Sequence, residues 1–380
     1  MFAEQETKEG AFLKKHFKEY YSKHIIDSVP EVSSREFGFG IFRRKIANRN
    51  IFFPSAKEMN AFLVNEQPLF LSYSPACYKF PDRRPMQAKE LFKADLVYEF
   101  DADELGLEVP EVNGFQWFEK EHLDVAKKQV FRLLDFLEND FAFPMEGITI
   151  NFSGKAGYHV HVRNKEIQQL NRKARIELVD YLTGFSDFPE KIGFNFSSKA
   201  PSCPTGRGLW GKRLNAGIKE FFSKEPKEIA LLTGFPLPKV KFLCKSKNEL
   251  FDSMEKGFLF ALEGRKSPEF WKKVLELVIL QARLPVDRQT SIDLHKIVRM
   301  PETLHGETGF LAKTLSVEEL KKFDPFADAV VFGRDSVRLF IKKAPKFSLL
   351  GEVFGPFEEQ EVVVPLFCAI YLIGKGAELR

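Results

Sequence analysis

The stretch Gly147–Asn164 reads GITINFSGKAGYHVHVRN. Its first half, GITINFSG, has the composition of a strand and ends in a glycine turn. Its second half is another strand, in which Tyr158, Val160 and Val162 face away from His159 and His161. Upstream, HLDVAKKQVFRLLDFLEND (122–140) has the apolar spacing of an amphipathic helix, and ADLVYEF (94–100) is rich in strand formers. The order strand, long helix, strand, glycine turn, strand predicts an α/β (α+β) lobe built on a mixed β-sheet.

Further outward, residues 9–25 have helical periodicity, and REFGFGIF from Arg35 alternates like a strand. RRKIANRNIFF follows, with Arg43, Arg44, Lys45 and Arg49 inside seven positions. That cluster reads either as a solvated loop or as a phosphate contact. From about Lys165 the pattern becomes helical, with NRKARIELVDYLTGF and SPEFWKKVLELVILQARL flanking basic, proline-containing loops. The expected organisation is a discontinuous lobe, 1–164 with 285–380, interrupted by a mainly helical insertion over 165–284.

Bulk composition sets bounds on class. At 380 residues the chain suits two lobes, and 44% apolar content supports a real core. Phenylalanine is abundant, 41 residues against 8 Tyr and 3 Trp, and scattered aromatics of this kind are mostly packing. With 57 basic and 53 acidic side chains the net charge is only +4, so nucleic-acid binding would need a local patch. Cys77, Cys203, Cys244 and Cys368 lie far apart without a CxxC, which points to a reducing cytoplasm. The N-terminus lacks a signal-peptide core, and VVVPLFCAIYLIG (362–374) is too short to span a bilayer; it reads as a buried element.

Three constellations could carry chemistry. In LVYEFDADE (96–104), Glu99, Asp101 and Asp103 alternate and would share one face of a strand. Like charges so close raise each other's pKa, and a divalent cation relieves them; a solvated strand end is the competing reading. In the glycine turn, Ser153, Gly154 and Gly157 expose backbone N–H groups that could cradle phosphate oxygens, with Lys155 and His159 adding charge and a donor. His159 and His161 could form a metal pair, but no third ligand follows at zinc spacing. In PVDRQTSIDLHKIVRMPETLHGETGF (285–310), Asp287 and Asp293 precede Arg299 and His305. Lys296 and Arg299 would share a face if the stretch is helical. Together these are the parts of a two-metal nucleotidyl-transfer site.

The ordered set resembles the small catalytic subunit of archaeal and eukaryotic DNA primase, over most of the chain. The resemblance is carried by YYSKHI near Tyr20, REFGF at Arg35, LVYEFDAD, Ser153–His159, VDRQTSIDLHKIVRMPETLHGETG and FDPF at Phe323. It implies the archaeo-eukaryotic primase fold and template-directed primer synthesis from nucleoside triphosphates. By resemblance the metal ligands, for Mg²⁺ or Mn²⁺, fall on Glu99 and Asp101, or on Asp101 and Asp103, with Asp287 as the third carboxylate. Ser153, Gly154, Lys155 and His159 would face the phosphates, Arg299 and His305 would contact the triphosphate, and Arg49 would line the nucleotide side.

Three departures stand out. Glu99 replaces an aspartate, and Lys155 stands where relatives carry an arginine, which removes bidentate contact. The Cys/His cluster that holds zinc in relatives is missing, since ELGLEVPEVNGFQWFEKEH holds only His122; no structural zinc is expected. The implied partners are a primase large subunit in a heterodimer, a single-stranded DNA template and nucleoside triphosphates, with no membrane. Cytoplasmic location is expected for an archaeal protein and nuclear for a eukaryotic one, the archaeal case being favoured. The alternatives are a primase–polymerase of end-joining or damage tolerance, and a non-catalytic template-binding subunit.

Overall fold

The computed structural model describes residues 6–184, 188–197, 201–203, 209–259, 267–286 and 291–380. The chain forms two compact units. The first comprises Met1–Leu134, Phe143–Ile176 and Val286–Arg380, and the second Asp135–Ala142 and Glu177–Pro285. Residues 165–176, which the sequence pattern groups with the helical insertion, thus belong to the first unit.

The first unit opens with helix α1 (Lys8–Lys23), whose N-terminus is capped by the Thr7 hydroxyl accepting from Gly10 N–H. Strands β1 (Arg35–Ile41) and β2 (Arg44–Ile51) form a hairpin, followed by helix α2 (Ala56–Glu66), β3 (Phe70–Tyr78) and β4 (Leu91–Ala94). β5 (Leu96–Asp101) leads through helix α3 (Lys120–Asp135) to β6 (Ile148–Phe152) and β7 (Gly157–Val162). After the second unit come β8 (Val298–Arg299) and β9 (Thr314–Leu315). The first sheet has the order β8–β3–β1–β2 with β4 also on β3, and the second β9–β6–β7–β5. A third, β11–β10–β12, comprises β10 (Ser336–Ala344), β11 (Phe357–Pro365) and β12 (Glu378–Leu379).

Strand pairing among the described residues is antiparallel, where the strand–helix–strand order predicts mixed pairing. The reason is topological. β5 and β6 do run parallel across α3, but β7 turns back through the glycine turn and inserts between them. RRKIANRNIFF is an edge strand rather than a loop: Ile51, Asn48 and Arg44 pair with Phe37, Phe39 and Ile41.

Packing follows the apolar spacing. α3 buries Leu123, Ala126, Val130, Leu133 and Leu134 along one stripe, and Lys127 donates to the Phe323 carbonyl at 2.7 Å. Phe152 and Tyr158, a facing pair on β6 and β7, pack around Phe323 in tilted and edge-on ring contacts. VVVPLFCAIYLIG ends β11 and continues as helix α4 (Leu366–Gly374), every residue of which is buried. Such side chains contribute about 1.5–3 kcal/mol each on burial.

A buried ionic network ties the first two sheets together. Arg35 on β1 meets Asp95 at 3.1 Å and donates to the Ser74 and Pro75 carbonyls. Asp95 also accepts from Arg163 and Gln168, and Arg163 reaches Thr149 on β6 and Tyr73 on β3. Removing one partner of such a network leaves an unpaired buried charge, costing about 3–5 kcal/mol.

The second unit is helical, with Leu209–Phe221, Pro226–Thr233, Leu237–Lys245, Lys247–Glu255 and Ser267–Ala282. Its core holds Trp210, Trp271, Phe222 and Phe270. Gly217 lets two of these helices approach closely, since a Cβ there would sit 2.4 Å from Val278. Arg213 binds Asp135 and Asp140 at 2.5 and 2.7 Å.

Candidate active site

The site begins at the end of β5. Cross-strand register sets Glu99 opposite His159 and Asp101 opposite Gly157 on β7, so Glu99 and Asp101 stand on one face. Only glycine fits opposite Asp101: a Cβ at Gly157 would lie 1.9 Å from the Phe100 carbonyl oxygen and 2.6 Å from Asp101 Oδ1. Asp103 leaves this row. β5 ends at Asp101, a tight 3₁₀ turn covers Ala102–Leu105, and the exposed Asp103 carboxylate accepts from Gln116 Nε2 at 3.0 Å.

The two carboxylates differ in environment. Burial raises Glu99, but His159 and Lys296 outweigh it and hold its pKa below the usual range; the Lys296 ammonium sits 3.1 Å from Glu99 Oε1. At Asp101 the opposing charge of Lys45 is outweighed. Asp101 Oδ1 is buried without a hydrogen-bond partner, and burial with the charges of Glu99, Asp103 and Glu104 pushes its carboxyl up to about 7. An orphaned, repelled carboxylate beside a second one is a donor set suited to a hard divalent cation. Among the described residues no three His, Cys, Asp or Glu side chains form a metal-binding group, and Asp287 lies outside the described residues.

The glycine turn closes on itself and on the loop after β8. Ser153 N–H donates to the Gly157 carbonyl, and the Ser153 hydroxyl accepts from Gly157 N–H at 3.2 Å. Gly154 has φ +86° and lies against His305, where a Cβ would approach His305 Cβ to 2.9 Å. Its carbonyl accepts from the Thr308 hydroxyl at 2.6 Å. His305 is buried against the edge of Phe70, and its Nδ1 accepts from Glu307 N–H at 3.3 Å. That bond requires the neutral tautomer with the proton on Nε2; burial and neighbouring cations keep its pKa well below 6.5. Burial likewise holds His159 neutral-leaning, although Glu99 opposes the shift.

Lys155 ends in a cation–carboxylate triad. Its ammonium sits 2.7 Å from Glu307 Oε1, which Lys375, just past α4, also reaches at 3.1 Å. Lys375 additionally donates to the Gln116 carbonyl, and burial pulls its pKa down to about 8. Arg299 does not share a face with Lys296, because Val298–Arg299 is strand, paired with Tyr73 and Ser72. Its guanidinium is half-buried over Phe70, donates to the Leu304 carbonyl ahead of His305, and is lowered to about 10 by burial. Arg49 is held at the edge of the site. It grips the fully buried Glu36 carboxylate through Nε at 2.9 Å and donates to the His295 carbonyl at 3.0 Å, one residue from Lys296.

The fold therefore brings together Glu99, Asp101, Ser153, Gly154, Lys155, His159, Arg299 and His305, with Arg49 beside them. Sequence reasoning missed Glu307, Lys375 and Glu36. Glu307 lay inside the HGETG stretch, whereas Lys375 follows an apolar run that marks only burial.

Residues 100–317 match the model of the DNA primase small subunit family. A protein of Methanothrix thermoacetophila described as a DNA primase small subunit is 32% identical over 98% of this chain and 98% of its own. The chain belongs to the DNA primase small subunit family. Primase small subunits of Methanosarcina barkeri (30% identical; 98% of this chain, 96% of the relative) and Archaeoglobus fulgidus (28%; 96% and 97%) align equally fully. Primases of this family are DNA-directed nucleotidyltransferases that synthesise primers, and they generally use divalent metals. The α+β first unit agrees with the family's fold. No helix among the described residues is long and apolar enough to cross a membrane.

Proposed function

We propose that this primase subunit joins nucleoside triphosphates at the surface framed by β5, the Ser153–His159 turn and the 296–309 segment. The observation that carries the reading is Asp101, a buried carboxylate with an unpartnered oxygen and a pKa pushed up to about 7 beside Glu99. Glu99 and Asp101 would hold Mg²⁺ or Mn²⁺, with Asp287 as a third carboxylate. When bound, the ions favour ionisation of the primer 3′-hydroxyl and neutralise charge that develops on the leaving pyrophosphate.

The remaining groups work by placement and charge. The Ser153 N–H is taken by the Gly157 carbonyl, so the turn would offer phosphate oxygens the Gly154 N–H and the Ser153 hydroxyl proton. Neutral His305 offers its Nε2 proton, and Lys155 supplies a point charge. Arg299 braces the loop that carries His305 through the Leu304 carbonyl, and Arg49 steadies the 295–296 backbone that delivers Lys296 to Glu99. No protein nucleophile is required by this chemistry.

By analogy with its relatives' names, the subunit works in a heterodimer with a primase large subunit, on a single-stranded DNA template, in an archaeal cytoplasm. Replacing Asp101 or Asp287 by Ala should abolish primer synthesis while leaving the circular dichroism spectrum and cooperative unfolding intact. Full activity in either variant would sink the assignment.

A further inference from the structure

Among the charged side chains that the described residues place around the glycine turn and His305, Lys45, Lys155, Arg299 and Lys375 are cations and Glu307 is a carboxylate. Glu307 Oε1 takes Lys155 at 2.7 Å and Lys375 at 3.1 Å, and all three side chains are largely buried. Without this carboxylate, two largely buried ammonium groups would converge on one point, and each would disfavour the other's charge. Lys45 and Arg299 add to the same field, since both act on His305 together with Lys155 and Lys375. The arrangement cannot be a simple surface ion pair, because one carboxylate oxygen is shared by two lysines and the main-chain N–H of Glu307 orients His305.

We infer that Glu307 is a built-in counter-anion, occupying the charge position of a polyphosphate and holding Lys155 and Lys375 charged and placed until nucleotide arrives. This rests on the reading of Lys155 as a phosphate contact. On binding, Lys155 exchanges the Glu307 carboxylate for a phosphate oxygen, while Lys375 keeps Glu307 in place. The carboxylate thus weakens the grip on the substrate and, equally, on the departing pyrophosphate. It sets an affinity below what the cations alone would give.

The test uses the full chain and inorganic tripolyphosphate, with binding followed by calorimetry. Glu307→Gln keeps the shape and loses the charge, and it should bind tripolyphosphate about tenfold more tightly, with a steeper dependence on salt. Glu307→Ser, which cannot mimic the bridge, should also tighten binding. In primer synthesis Glu307→Gln should lower both the nucleotide KM and kcat, because pyrophosphate leaves more slowly. A merely structural brace would do the reverse, so weaker or unchanged binding in both variants overturns the inference. Lys155→Ala separates the two levels of the argument. If it leaves tripolyphosphate affinity unchanged, Lys155 is not a phosphate contact and the reading beneath the inference falls. If it weakens binding while Glu307→Gln fails to tighten it, the counter-anion alone is refuted.

Discussion

The acidic and basic edges of the site face the same difficulty and answer it differently. At the basic edge one carboxylate, Glu307, meets both Lys155 and Lys375. At the acidic edge one ammonium, Lys296, meets Glu99 and leaves Asp101 Oδ1 without a hydrogen-bond partner. One edge therefore keeps an excess of cation around a shared carboxylate, and the other keeps an excess of anion with one carboxylate oxygen unpartnered. A stored charge imbalance destabilises the fold but raises the gain when a cation of the right size is taken up. The difference predicts that mutations should have opposite effects on stability and activity at Asp101, and like-signed effects where shape rather than charge is the issue.

The largest effect should come from Asp101→Asn. Loss of groups that merely support metal ligands already costs about 10–100-fold, so loss of the carboxylate itself should cost more in primer synthesis. The same change should stabilise the protein. Because the Asp101 carboxyl is raised from 3.8 to about 7, the folded state binds a proton more tightly than the unfolded state between those values. Stability therefore falls as pH rises through that window, with the full penalty above pH 7. Asn carries no such penalty. The Tm of the variant should match wild type near pH 4 and exceed it at pH 8, and added Mn²⁺ should raise Tm only in wild type. A lower Tm for Asp101→Asn at pH 8 would show that the carboxylate is not under strain.

Gly157→Ala tests shape on the same edge without touching charge. Its Cβ would strike the Phe100 carbonyl and Asp101, forcing β5 and β7 apart. A loss of about 1–3 kcal/mol in urea unfolding is expected, accompanied by loss of primer synthesis. Retained activity would mean that the register of Asp101 is not critical.

The two edges also differ in how much of each was legible beforehand. Period-two alternation along LVYEFD was enough to align Glu99 with Asp101, because β5 is a regular strand packed on both sides. It failed at Asp103, where the chain enters a 3₁₀ turn closed by Gly106 at φ +74°; that glycine was the available signal. The polar run after Arg43 resembled a loop because β2 is an edge strand, whose identity comes from pairing with β1 rather than from its own residues. Lys296 and Arg299 were linked by helical spacing, but pairing of Val298 and Arg299 with β3 keeps the segment extended. Glu307 and Lys375 meet only in three dimensions, across 68 residues, and no local pattern announces that contact.

Lys375 extends the comparison to alkaline pH, where smaller effects are expected. Its pKa is pulled from 10.5 to about 8, chiefly by burial, against the pull of Glu307. Below pH 8 both folded and unfolded chains carry the proton, and the folded state bears the full burial cost. Between 8 and 10.5 the unfolded chain still binds the proton while the folded one does not, so stability rises with pH. Asp101 is thus most costly above pH 7 and Lys375 below pH 8, and the two penalties overlap at neutral pH. Lys375→Met removes the buried charge and leaves Lys155 to Glu307. It should raise Tm modestly at pH 7.5 and lose that advantage by pH 10, a trend opposite in direction to Asp101→Asn. Equal shifts at both pH values would place the effect in packing around α4 rather than in charge.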